Sequence, residues 1–98
     1  MDFNSFRKST SADAPPAGLD FAVRALWWDA KGDWDKAHGL ADKDHDTRGS
    51  WVHAYLHRKE GDRGNASYWY RRAGMTMPGK ASLDEEWAAI ARDLLAAK

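Results

Sequence analysis

His53 and His57 stand four residues apart with Glu60 three further on, so on a helix all three project from one face. Two imidazoles at that spacing are what a helical metal site uses. A carboxylate beside an imidazole can also raise its pKa and turn the pair into a general acid and base. His38, Asp42 and His45 could add ligands from earlier in the chain. Against a hydrolytic zinc site stands residue order: the His-Glu-x-x-His motif needs Glu directly after the first His, whereas Ala54, Tyr55 and Leu56 intervene here. A hydrogen-bonded structural His57 and an ordinary intrahelical pair with Glu60 account for the same residues without a metal. No nucleophile is singled out, because Ser50 and Ser67 sit where capping and solvation explain them. No Gly-rich loop followed by Lys-Ser or Lys-Thr offers a phosphate cradle. The expectation is no metal, no cofactor and no catalytic residue. The alternative is a small enzyme or a metal- or ligand-binding protein using His53, His57 and Glu60.

Charge points to a different surface. Lys and Arg together number 15 and so do Asp and Glu, so the whole chain has no bulk attraction for nucleic acid or an anionic membrane. The balance is uneven along it. Residues 19–46 hold seven acids against four bases, and residues 47–80 hold two acids against seven bases. In the basic part Arg58, Arg71 and Arg72 lie among Trp51, Tyr55, Trp69 and Tyr70, a mixture of guanidinium and ring that suits carboxylates, phosphates or acidic peptides. The competing account makes the rings core and the charges a solvated face complementing the acidic part.

Positioning these residues is the task of short helices. Trp51, Val52, Tyr55 and Leu56 recur at helical spacing, as do Ala66, Trp69, Tyr70 and Ala73, with Gly61-Asp62 between them. Glycine there can take a left-handed cap conformation and aspartate can accept from the amides opening the next helix, which predicts an antiparallel αα-hairpin. Phe21, Ala22, Ala25, Leu26 and Trp28, then Gly32-Asp33, then Trp34, Ala37, Leu40 and Ala41 predict another, ending in the polar run from Asp42 to Arg48. At an offset of 29 residues Val23 meets Val52, Ala25 meets Ala54, Gly32-Asp33 meets Gly61-Asp62 and Ala37 meets Ala66. The identities fall where helices cross closely or the chain turns, which marks an internal repeat.

Those residues resemble the tetratricopeptide class of helix-turn-helix repeats: Ala25, Gly32-Asp33-Trp34 and Ala37 in one copy, Ala54, Gly61-Asp62, Ala66, Tyr70 and Ala73 in the other. The period is shorter than in that class, Asp44 takes the last small position of the first copy, and Arg63-Gly64 replaces the turn aromatic. Roughly residues 19 to 97 also resemble small uncharacterised bacterial proteins, a likeness that brings no activity with it. The resemblance implies an inner groove lined by the first helix of each hairpin, with Trp51, Tyr55 and Arg58 from the second copy and Leu26 and Asp29 from the first.

Beyond the repeat, Ser82 and Glu85 form a capping-box signature ahead of Leu83, Trp87, Ile90 and Leu94, which predicts a terminal amphipathic helix closing the array. Residues 1–18, rich in Ser, Asp, Pro and Ala, predict a flexible arm before a single domain over 19–98. The absence of cysteine excludes disulfides and thiolate zinc sites. No signal peptide or membrane span is visible, so a cytoplasmic location is expected.

The expected fold is all-α: two αα-hairpins in a tetratricopeptide-like right-handed repeat plus a C-terminal capping helix, about five helices. The expected function is a non-enzymatic interaction module for a protein or acidic peptide, or one that pairs with a second copy as a homodimer. Trp51, His53, Tyr55, His57, Arg58, Arg71 and Arg72 are its binding residues.

Overall fold

Asp20, Asp33 and Asp62 each open a helix by accepting a hydrogen bond from the amide three residues on, at Val23, Lys36 and Asn65. In the computed structural model, which describes residues 1–43 and 47–96, these caps start three of six α-helices. The helices are α1 (Phe3–Ser9), α2 (Phe21–Ala30), α3 (Trp34–Asp42), α4 (Thr47–Glu60), α5 (Arg63–Ala73) and α6 (Leu83–Ala96). Among the described residues there is no strand, and no helix is long and apolar enough to cross a membrane. Asp44 and His45 lie outside the described residues.

The two expected turns have one geometry. Gly32 and Gly61 take φ of 84° and 90°, the left-handed region that a side chain resists. The amides of Asp33 and Asp62 then reach back to the carbonyls of Trp28 and His57 at 3.0 and 2.9 Å. Each turn folds the next helix back, so α3 packs on α2 and α5 packs on α4. Small residues permit the approach: Ala25 and Ala37 in the first pair and Ala54 and Ala66 in the second are fully buried. The pairs then join through α3 against α4 and α2 against α4. Trp34 pins that join by donating its indole N–H to the Leu56 carbonyl at 3.0 Å.

The terminal helix starts as expected, with the Glu85 amide donating to Ser82 Oγ at 3.0 Å and the Ser82 amide to Glu85 at 3.3 Å. It lies across α2 and α4, burying Ile90, Ala91 and Leu94, and its Trp87 donates to the Leu26 carbonyl at 2.9 Å.

Within the expected arm, Phe3–Ser9 is a helix, capped by Asp2, which accepts from the Ser5 amide at 2.8 Å. Phe6 is fully buried and its ring stacks on Trp87, with centroids 5.7 Å apart. This cover also decides which tryptophan of α2 enters the core. Trp27 is fully buried and donates to the Ser9 carbonyl at the end of α1, whereas Trp28, expected on the apolar stripe, stays partly exposed.

Candidate three-histidine site

The i, i+4 spacing of His53 and His57 puts both rings on one side of α4, and α3 packs against that side. From α3, His38 enters the same space. Its ring centroid lies 4.5 Å from that of His53 and 5.4 Å from that of His57, and the latter two are 5.0 Å apart. One potential ligand atom from each of His38, His53 and His57 lies within 4.8 Å of the others. Two tryptophans flank the cluster. Trp34 stacks on His38 with centroids 4.8 Å apart, and Trp69 of α5 stacks on His53 at 3.8 Å.

Burial and hydrogen bonding set what the rings can do. His53 and His57 are 3% and 8% exposed, while His38 is half-buried and forms the open side. His57 Nδ1 lies 2.9 Å from Glu60 Oε1. In the neutral tautomer that donates Nδ1–H to this carboxylate, Nε2 carries a free lone pair. Among the described residues His38 and His53 make no hydrogen bond, so neither ring is committed elsewhere. Burial, reinforced by the neighbouring His38 and His57, lowers the pKa of His53 to about 4 against a weaker opposing pull from Asp42. At neutral pH His53 is therefore an uncharged donor, the form a metal requires.

Zinc–nitrogen bonds of about 2.0–2.1 Å place tetrahedral ligand atoms roughly 3.3 Å apart, so the ring nitrogens would have to close by up to about 1.5 Å to share an ion. A second group, His57, Glu60 and Asp62, is also near enough. Its Asp62 is committed to the start of α5, accepting from the Asn65 amide at 3.1 Å and from the Asn65 side chain at 2.7 Å.

Comparison with protein families, curated proteins and solved structures finds no match to this chain. Its chemistry is read from its own side chains.

The structure divides the seven expected binding residues among three places. Trp51, Tyr55 and Arg58 lie on the part of α4 covered by α6, where acidic partners from the chain itself already occupy them. Glu86 of α6, 5% exposed, accepts from Trp51 Nε1 at 3.3 Å, Arg58 at 2.8 Å and the Tyr70 hydroxyl at 2.5 Å. Asp29 accepts from the Tyr55 hydroxyl and from Lys59, both at 2.8 Å. His53 and His57 lie in the histidine cluster. Arg71 and Arg72 are exposed on α5, and only Arg72 reaches toward the cluster, its guanidinium 5.2 Å from the Trp69 ring that stacks on His53.

Glu86 escaped the sequence reading, although its place three after Leu83 and four before Ile90 on the apolar stripe is a signal that it faces inward. His38 was legible only as one candidate among several, because its partners come from another hairpin. His45, another candidate ligand, lies outside the described residues.

Proposed function

We propose that this chain is a small helical metal-binding domain holding a late first-row divalent cation on His38, His53 and His57. The observation that supports it is the convergence of three imidazoles, contributed by two different hairpins, with ligand atoms within 4.8 Å of one another. Their chemistry selects the ion. Neutral nitrogen donors with no thiolate and no carboxylate suit Zn²⁺, Cu²⁺ or Ni²⁺ and disfavour Ca²⁺ and Mg²⁺, which take oxygen. Glu60 acts behind His57, orienting the ring and raising its basicity.

The scaffold is read as a tetratricopeptide-like right-handed repeat, supported by the matching left-handed glycines and aspartate caps of the two turns. A second reading, the interaction module for an acidic protein segment, is favoured by α5. It carries Arg63, Arg71 and Arg72, no acidic residue, and no ion pair among the described residues.

Metal-free protein titrated with Co²⁺ tests the metal reading. A single equivalent should bind and give visible absorption of a low-symmetry nitrogen site. His53→Ala should abolish that absorption, and Glu60→Gln should weaken binding by about 10- to 100-fold. Equal binding by wild type and by the His38→Ala and His53→Ala variants would exclude the site.

A further inference from the structure

A cavity of about 260 Å³ opens where the ends of α1 and α2 meet α4 and the first turn of α6, and it shares no residue with the histidine cluster. One wall of it is a buried charge. The Asp29 side chain, 3% exposed, accepts from the Tyr55 hydroxyl on one carboxylate oxygen and from Lys59 on the other. Burial first, and then the charge of Asp29, push the Tyr55 hydroxyl up, so that it stays a donor. Asp29 is thereby neutralised in place, and the Lys59 ammonium keeps N–H groups to spare for a guest. Arg7 of α1 and Asp84 of α6 complete the charged lining. Both are exposed, and neither has an ion-pair partner among the described residues. Residues 44–46 and 97–98, which are not among those, attach to Thr47 and Ala96, each twelve residues or roughly 18 Å along its helix from Lys59 and Asp84. Trp87 adds an apolar wall, its indole N–H committed to the Leu26 carbonyl and its ring stacked on Phe6.

We infer that this cavity binds a small zwitterion of the free α-amino acid class, its carboxylate on Arg7 and Lys59 and its ammonium on Asp84. A simple anion would have to face Asp84, and a simple cation would have to face Arg7 and Lys59. A molecule carrying both charges answers each of them. The volume falls just short of the roughly 300–1,000 Å³ of drug-sized sites, which suits a small metabolite. Because Arg7 and Asp84 come from different helices, the bound molecule also ties α1 to α6. It thereby adds to the Phe6 stack on Trp87 and to the bond from Trp27 to the Ser9 carbonyl.

Heteronuclear NMR of the full chain, titrated with a mixture of the common L-amino acids, tests this. The N-acetyl and amide derivatives of the one that binds follow, each lacking one of the two charges. The expected result is a saturable shift of the Trp87 indole and Thr10 amide signals with slower exchange of the α1 amides, at least tenfold weaker with either derivative. Arg7→Gln and Asp84→Asn should each weaken binding about tenfold in a protein whose ligand-free spectrum stays that of the folded chain. No saturable shift at millimolar amino acid overturns the inference, as does equal binding by either variant. An N-acetyl derivative that binds as well as its parent would mark a carboxylate site, an amide that does so an ammonium site, and either outcome overturns the zwitterion. The result stands apart from the metal reading, whose failure shows in the cobalt titration.

Discussion

His53 shows how position alone converts a titratable ring into a neutral one. Its pKa of about 4 in the fold lies below the ordinary 6.5 because burial penalises the imidazolium, with His38 and His57 adding to the penalty. Between those two values the unfolded chain binds a proton that the folded chain refuses. The contribution is whole above pH 6.5 and is lost as pH falls toward 4. For the metal-free protein the expected loss is on the order of 2–3 kcal/mol, read from urea unfolding at pH 7 and pH 4. His53→Gln should flatten most of that slope, and an unchanged slope would place the proton uptake elsewhere. The aspartate caps act in a lower window. Amide hydrogen bonds from Ser5 and Asn65 hold Asp2 and Asp62 below the usual carboxylate value, so their part persists until the solution is more acidic still.

At the scale of elements, α6 is held by a charge as well as by its apolar face. Glu86 is removed from water, and three donors from α4 and α5 compensate it: Arg58, Trp51 and Tyr70. Glu86→Gln keeps the shape but leaves the Arg58 guanidinium without a counter-charge. Breaking a buried pair in this way costs about 3–5 kcal/mol. With the Arg58 side chain 20% exposed, roughly 2–3 kcal/mol is expected, measured as a lower urea midpoint at unchanged slope. A loss below about 0.5 kcal/mol would mean that apolar packing alone seats the helix. What could be read beforehand among these elements was whatever a local rule controls. Gly32-Asp33 and Gly61-Asp62 gave the turns, and Ser82 with Glu85 gave the start of α6. The four-residue step from His53 to His57 gave their shared face. What escaped depends on contacts across the chain. Seven residues of α1 are too few for periodicity to show, and Phe6 is buried only because Trp87 is there to receive it. The described residues therefore form six helices where about five were expected. Trp27 and Trp28 differ in burial for the same reason. The acids that Arg58 and Tyr55 meet, Glu86 and Asp29, come from other helices, which no local rule reveals.

For the whole molecule, the consequential fact is that His38 comes from the first hairpin and His53 and His57 from the second. An ion held by all three would add a clip between the hairpins to the α3–α4 and α2–α4 packing and the α6 bridge. Because such an ion binds the folded arrangement and not the dispersed chain, it adds stability by mass action, about 2.7 kcal/mol at a hundred times its dissociation constant. For a domain of this size each kcal/mol raises Tm by roughly 4–8 °C, so zinc should lift the melting temperature by about 10–20 °C and chelator should reverse the rise. The diagnostic variant is His38→Ala. It changes a side chain of α3 alone, yet it should abolish the zinc-dependent rise and return α3 amides to their metal-free exchange rate while α4 and α5 stay folded. A rise that survives in His38→Ala would put the ion on α4 alone, at His57 and Glu60, where it joins nothing.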